Sequence, residues 1–330
     1  MKRFLPLLFA PAIVLAQDPA LKIERLDPAF DQLVAPDAKI EKLAEGFQWS
    51  EGPVWKDGAL YFSDVPANKL YRWQPGDKAA KIFLKPSGGM EATPIVTNPG
   101  SNGLTLDAKG NLILCQQGPR RVARLEADGR QVPLTNGYEG QRFSSPNDVI
   151  FARNGNFYFT DPPYGLDNLN DSPLKELKFN GVFLVKPSGE TTAVIKDLTF
   201  PNGLALSPDE KILYIAVSDP QAPKIWAYDV QPDGTVANRR LFFDAGPLVN
   251  DRRVGLPDGM KVDVHGNAWI TGAGGVLVVS PAGKHLGSII TSQQTGNCAW
   301  GDDGSTLYIC ANMFICRVKT LTKGAGMVNQ

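Results

Sequence analysis

The sequence contains little histidine and cysteine, and it carries no excess charge of either sign. Its 330 residues include two His and four Cys, and 34 Lys and Arg balance 34 Asp and Glu. Two histidines leave little for histidine-based catalysis or a His-rich zinc site. A neutral chain without a basic block lacks the electrostatic footprint for binding a polyphosphate backbone, so we expect no nucleic-acid partner.

Two catalytic motifs are also missing. The chain has no Gly-x-Ser-x-Gly elbow and no His-Glu-x-x-His, which removes the usual sequence support for a serine hydrolase or a zinc protease. His265 follows Asp258 by seven residues along a predicted strand, roughly 23 Å at about 3.3 Å per residue. We therefore interpret His265 as a surface turn residue at the far end of that strand.

A long apolar run occurs at the N-terminus, from Phe4 to Leu15, after a Lys-Arg pair and before the small Ala16. The run is short for a membrane span and contains Pro6 and Pro11, so residues 1–16 are predicted to be a cleaved signal peptide. We expect an exported protein, periplasmic or secreted, with no membrane association after cleavage. Export permits disulfides, and the spacing allows a Cys310–Cys316 bridge across a tight hairpin, although the pairing of Cys298, Cys310 and Cys316 stays open.

An internal repeat organises the rest of the chain. Six units each begin with a polar anchor, followed by an alternating apolar stretch, a turn with Asp or Gly, and a second β-rich stretch. The anchors are spaced by about 49 residues on average, which is the length of one four-stranded propeller blade. The fold class predicted is all-β, a six-bladed β-propeller over residues 37–321, with an N-terminal extension at 17–36 and a C-terminal tail at 322–330. The anchors are Glu51, Asn102, Asn147, Asn202, Asp258 and Asn297.

The chain ends are predicted to close the ring. Residues 40–44 resemble the fourth strand of a blade but precede the first unit, so their expected partner is the last blade. Residues 315–318 would supply the third strand of that blade, leaving no free sheet edge. In the sixth unit Gly301 interrupts the apolar alternation, which we interpret as a bulge.

The six anchors are predicted to surround one end of the central axis, because the first strand of each blade runs beside it. All six side chains offer oxygen donors, two carboxylates and four amides, which suit a hard divalent cation in the tunnel. Ca²⁺ is favoured, with Mg²⁺, Mn²⁺ or Zn²⁺ as alternatives. Asn-Gly and Asp-Gly are also ordinary turn dipeptides, so a turn remains the alternative at 102, 202 and 258. Glu51 forms turns poorly, and Asn147 is not followed by glycine.

Five motifs in register, covering most of the chain, carry a family resemblance. They are SEGPVW at 50–55, SPNDV at 145–149, TDPPYG at 160–165, FPNGL at 200–204 and LPDGM at 256–260. With them the chain resembles the senescence-marker-protein/gluconolactonase/luciferin-regenerating-enzyme family. The resemblance implies a six-bladed propeller with one divalent metal, usually calcium, in the tunnel, and hydrolysis of lactones or related esters.

The resemblance also implies roles for individual residues. The metal ligands fall on Glu51, Asn147, Asn202 and Asp258, whereas Asn102 faces the substrate and Asn297 is not a ligand. Asp258 is the predicted base that activates water, and the metal polarises the carbonyl. Further substrate contacts are expected from segments that could reach the tunnel mouth, at Gln117, Arg120 and Tyr164.

The predicted function is hydrolysis of a lactone, either a sugar lactone or another small cyclic ester. Two alternatives remain: a phosphotriesterase-like hydrolase using the same metal site, and a non-catalytic propeller that binds a ligand and holds a structural Ca²⁺. Asp258 distinguishes the last of these, because a binding module needs no base. The oligomeric state stays open.

Overall fold

The computed structural model describes residues 21–326, and the predicted signal peptide at 1–16 lies outside them. Six antiparallel sheets correspond to the six predicted units, so the six-bladed propeller is confirmed. The strands of blades 1 to 3 are β3 (Ser50–Lys56), β4 (Ala59–Asp64), β5 (Lys69–Trp73), β6 (Lys81–Leu84), β7 (Ser101–Leu106), β8 (Leu112–Gln116), β9 (Arg121–Leu125), β10 (Gln131–Thr135), β11 (Val149–Phe151), β12 (Phe157–Asp161), β13 (Asn180–Val185) and β14 (Thr191–Leu198).

The remaining blades contain the second half of the chain and two strands from its beginning. Their strands are β15 (Pro201–Leu206), β16 (Ile212–Val217), β17 (Lys224–Val230), β18 (Val236–Asp244), β19 (Met260–Val262), β20 (Ala268–Gly272), β21 (Gly275–Val279), β22 (His285–Ile290), β23 (Asn297–Gly301), β24 (Thr306–Ala311) and β25 (Phe314–Lys319), together with β1 (Lys22–Arg25) and β2 (Ile40–Glu45). Residues 21–326 also contain three short 3₁₀ helices, at Pro28–Gln32, Leu169–Asp171 and Gly246–Leu248.

Ring closure follows the prediction, with one addition. Strand β2 pairs with β25, with Ile40 opposite Val318, and so completes the sixth blade. Strand β1 lies in the predicted N-terminal extension and adds a fifth strand to blade 5, with Ile23 opposite Ile289. The 3₁₀ helix between them buries Phe30 completely against blades 5 and 6. The first 25 described residues therefore connect the last two blades.

The core lies between neighbouring blades. Six apolar clusters each combine side chains from two adjacent sheets. Both faces of a blade are covered, so second strands such as β4 and β24 are buried at every residue. Tight turns close the first hairpins; in blade 1, Asp57 and Gly58 both have positive φ, 49° and 73°, as a two-residue hairpin turn requires.

Two expectations about the sixth blade are wrong. No bulge occurs at Gly301, because β23 pairs with β24 without a register shift. Glycine is needed there because a Cβ would lie 2.9 Å from Trp55, which stacks on Tyr308 with ring centroids 5.0 Å apart. All four cysteines are free and buried. Cys310 and Cys316 belong to clusters on opposite faces of the blade, so they do not form the bridge that their spacing allowed.

Candidate active site at one end of the propeller axis

Five of the six anchors line one cavity of about 530 Å³. They converge there because each stands at or just before the start of the innermost strand of its blade. These five anchors are Glu51, Asn102, Asn147, Asn202 and Asp258. The sixth, Asn297, is buried but does not line the cavity. The position of His265 is as predicted, in an exposed turn.

The glycines that follow the anchors allow neighbouring blades to approach closely. A Cβ on Gly103 would lie 2.5 Å from the Asn147 carbonyl oxygen, and one on Gly203 would lie 2.1 Å from the Asp258 carbonyl oxygen. The Gly103 amide donates to the Asn147 carbonyl at 2.7 Å. The dipeptides at 102 and 202 are thus strand segments packed against the next anchor, and the turn interpretation is wrong at these positions.

Glu51 is held by two donors from its own strand region. The Trp49 indole donates to Oε1 at 3.3 Å, and the Gly52 amide donates to Oε2 at 2.9 Å. The carboxylate is nevertheless almost fully buried. Burial raises the pKa of Glu51 to about 7, and the charge of Asp148 adds to this increase. An ionised Glu51 therefore lacks a compensating positive charge.

Asn202 is oriented by Ser218. Its Nδ2 donates to Ser218 Oγ at 2.9 Å. Asp258 keeps some exposed surface, which lies on the cavity, but its enclosure raises its pKa well above the ordinary value. The charges of Glu51 and Asp148 raise it further. Repulsion between these carboxylates is relieved by a cation between them.

Several buried oxygens in the cavity have no hydrogen-bond partner within residues 21–326. They include Oδ1 of Asn102, Oδ1 of Asn202, Oε1 of Gln117 and the Tyr164 hydroxyl. Buried acceptors without partners are costly unless a ligand or ion satisfies them. Two mutually repelling carboxylates and unpartnered amide oxygens form a donor set that fits a hard divalent cation and an oxygen-rich substrate. No group of three or more His, Cys, Asp or Glu suited to a metal occurs in this part of the chain.

The predicted substrate residues divide into two groups. Asn102, Gln117 and Tyr164 line the cavity, and Tyr164 stacks on Phe200 with ring centroids 5.9 Å apart. Arg120 does not line it. Its guanidinium is buried, bonds the Phe143 carbonyl and pairs with Glu176 at 3.2 Å. The prediction that Arg120 reaches the tunnel mouth is wrong, because these partners hold it behind the cavity wall.

Asp148 is the residue that the sequence interpretation missed. It is buried, and its charge acts on both Glu51 and Asp258. A signal was available, since the residue after the anchor is glycine in blades 1, 2, 4 and 5 but aspartate in blade 3. A carboxylate where four of the other five blades have glycine indicates a role specific to this blade. Ser218 was missed as well; it lines the cavity and accepts from Asn202 Nδ2 at 2.9 Å, but it stands outside the repeat positions.

The molecule is a six-bladed propeller with a buried, carboxylate- and amide-lined cavity at one end of its axis. The family model for the SMP-30/Gluconolactonase/LRE-like region matches residues 49–312, and the chain belongs to this family. No helix in the described part is long and apolar enough to cross a membrane.

Three relatives illustrate the family. The chain is 41% identical over 317 residues to a gluconolactonase of Zymomonas mobilis subsp. mobilis, covering 92% of this chain and 87% of that protein. It is 25% identical over 268 residues to a pentonolactonase of Haloferax volcanii, covering 78% and 80%. The solved structure of a gluconolactonase from Xanthomonas campestris is 30% identical, with a TM-score of 0.77 and coverage of 92% and 96%.

Proposed function

We propose that the protein is a hydrolase of small lactones, with the sugar lactones as its substrate class. The observation that carries the proposal is the pair of enclosed carboxylates, Glu51 and Asp258, beside unpartnered amide oxygens in one cavity. The relatives described as gluconolactonase and pentonolactonase support lactones as substrates. A purely structural cation would leave unexplained why the cavity is large enough for a sugar-sized ligand.

The residues that would hold the cation are Glu51, Asn147, Asn202 and Asp258, with calcium as the favoured ion. When bound, a divalent cation supplies positive charge that polarises the lactone carbonyl and stabilises the negative charge developing on its oxygen. Trp49 fixes one oxygen of Glu51, and Ser218 fixes the amide of Asn202 with its Oδ1 unpartnered. The ligand geometry is thus oriented in advance by hydrogen bonds from the protein.

Asp258 would orient a water molecule toward the carbonyl carbon and accept its proton. Water adds to the carbonyl, the bond from the acyl carbon to the ring oxygen breaks, and the ring oxygen leaves as an alcohol after receiving a proton. The product is the open-chain hydroxy acid. Asn102, Gln117 and Tyr164 would bind substrate hydroxyl groups, because their polar atoms line the cavity without internal partners.

The test is hydrolysis of D-glucono-1,5-lactone and other lactones by protein stripped of metal, with and without added Ca²⁺, Mg²⁺, Mn²⁺ or Zn²⁺. We expect activity that depends on the added ion. Asp258→Asn should lower kcat by about 10² or more, as expected for loss of a positioned base. Asp37→Asn, at an exposed turn, is the matched control and should leave kcat unchanged.

Three results would contradict the proposal. Turnover by Asp258→Asn at the wild-type rate would remove the base from the mechanism. Calcium binding without cleavage of any lactone would favour a ligand-binding propeller, and cleavage of a phosphotriester alone would favour the phosphotriesterase alternative.

We also propose that the protein is exported and that its leader is removed near Ala16. The charged pair at 2–3 followed by the apolar run to Leu15 supports this proposal. Fractionation of expressing cells and intact-mass measurement of the recovered protein test it. A cytoplasmic protein that retains residues 1–16 would contradict it.

A further inference from the structure

A polar network lies at Asn297, the one anchor that does not line the cavity. The Asn297 Nδ2 donates to Asp148 Oδ2 at 3.4 Å. Its Oδ1 accepts from the Cys298 amide at 2.9 Å and faces the Lys261 ammonium at 3.5 Å. The anchor of blade 6 therefore connects Lys261 to the Asp148 carboxylate.

Lys261 belongs to this network rather than to the protein surface. It lies in the middle of β19, the innermost strand of blade 5, and is partly buried. Its ammonium donates to the Met260 carbonyl at 3.0 Å, so the side chain is turned back toward the start of the strand, where Asp258 lies. Burial raises the pKa of the Asp148 carboxyl, and the positive charge of Lys261 opposes that increase.

One divalent cation and Lys261 together balance the charges of this region when its carboxylates are ionised. Three enclosed carboxylates, Glu51, Asp148 and Asp258, act on one another. A single divalent cation neutralises two of them and leaves the third without compensation. An uncompensated charge in an enclosed site is strongly unfavourable. The Lys261 ammonium supplies the missing positive charge.

We propose that Lys261 is a built-in counter-cation which, together with one divalent ion, neutralises Glu51, Asp148 and Asp258, and so sets both the affinity and the one-ion capacity of the centre. The inference rests on the proposed metal centre. Lys261 is a positioning residue in this scheme, since it contacts Asn297 rather than the cavity. The network acts from behind the ligands, where a substrate does not reach.

The proposal makes opposite predictions for the two charges. Lys261→Met leaves an excess negative charge, so the Kd for Ca²⁺ should fall at least tenfold, because a like charge no longer opposes the ion. Asp148→Asn removes a negative charge, so the Kd should rise at least tenfold. The double variant should return to within threefold of wild type. Lys261→Arg keeps the charge, and Lys109→Met removes one from an exposed turn; both should bind as wild type does.

The experiment is calorimetric titration of metal-stripped full-length protein with Ca²⁺ alone, with melting temperatures recorded in parallel. We expect one ion per chain in wild type. Metal-free Lys261→Met should melt below metal-free wild type, and the difference should shrink when Ca²⁺ is added. This second measurement needs no activity and applies even if binding is weak.

The outcomes separate the two proposals. Wild type that binds no Ca²⁺ overturns the metal centre. The role of Lys261 alone is overturned if wild type binds one ion and the Kd of Lys261→Met for Ca²⁺ is within threefold of the wild-type value or higher. Structural damage caused by the substitutions is also distinguishable. Damage from the two substitutions would add in the double variant and keep its Kd away from the wild-type value, whereas the two opposite charge changes cancel and restore it.

Discussion

Metal-free protein should lose stability as the pH rises from 5 to 8, and calcium should prevent part of that loss. In the metal-free fold, enclosure raises the pKa of Glu51 from 4.5 to about 7. Between these values the folded state holds a proton that the unfolded chain releases, so the free energy of unfolding falls with rising pH. The stabilisation is fully present below 4.5 and lost above 7.

The size of the stability loss follows from the raised pKa of Glu51. A pKa difference of this size corresponds to about 3 kcal/mol. At about 2 °C per kcal/mol for a chain of this size, the melting temperature should fall by about 6 °C. Asp258, whose pKa is also raised, adds to the effect. Bound calcium keeps both carboxylates ionised at either pH, so its protection should grow as the pH rises.

Other titrating groups require a difference measurement. Burial lowers the pKa of His285, which makes stability rise with pH in part of the same window. Asp161 has a pKa raised to about 7 by burial, but it bonds the Ser144 and Ser145 amides away from the cavity. Neither group lines the cavity. Subtracting the metal-free curve from the calcium-loaded curve therefore removes both contributions.

The assay is differential scanning calorimetry at pH 5, 6, 7 and 8, using protein stripped of metal and buffers passed over chelating resin. Glu51→Gln cannot titrate and is the matched variant, for which the metal-free loss should shrink. Equal calcium protection at pH 5 and pH 8 would contradict this prediction. A metal-free melting temperature that falls equally in Glu51→Gln would contradict it as well.

Three further predictions concern packing and the cysteines. Gly103→Ala places a Cβ 2.5 Å from the Asn147 carbonyl oxygen, so it should lower the free energy of unfolding, measured in urea, by about 2 kcal/mol or more. A Cβ at Gly110 would have no atom within 4 Å, so Gly110→Ala should lower it by only about 1 kcal/mol, because of the positive φ there. Equal losses in the two variants would contradict the close approach at Gly103. Arg120→Met should lower the melting temperature while leaving KM unchanged, because its partners are Phe143 and Glu176, and a raised KM would return it to the substrate site. All four thiols are free and buried, so thiol titration of the native protein should detect no fast-reacting cysteine. For the same reason dithiothreitol should leave the melting temperature unchanged. A melting temperature lowered by dithiothreitol would indicate a disulfide.

The blades could be predicted because the same sequence pattern repeats six times, and each repeat limits how the others can be assigned to strands. The pairing of β2 with β25 followed from a strand that had no blade of its own. Strand β1 could not be found in this way, because it lies outside the repeat and its pairing depends on the exposed edge of β22. The prediction of a bulge at Gly301 was wrong for a similar reason. Trp55 of the neighbouring blade fills the space beside Gly301.

The cavity residues were predicted to the extent that they stand at repeat positions. Glu51, Asn147, Asn202 and Asp258 converge because propeller symmetry brings equivalent positions together. The position of Arg120 could not be derived, because Glu176, its salt-bridge partner, lies 56 residues further along the chain. The interaction of Lys261 with Asn297 likewise joins two blades, and no local pattern indicates it.

The pairing of the chain ends has a consequence for how the protein is made. Residues 22–45 are synthesised early, but their partners, β22 and β25, are synthesised near the end; Ile40 and Val318 are 278 positions apart. Until then Phe30 and Val34, both fully covered in the finished molecule, have no blade to pack on. The ring therefore forms only when the chain is nearly complete. Such a polypeptide exposes these apolar side chains until synthesis is nearly complete, and aggregation competes with folding during that interval.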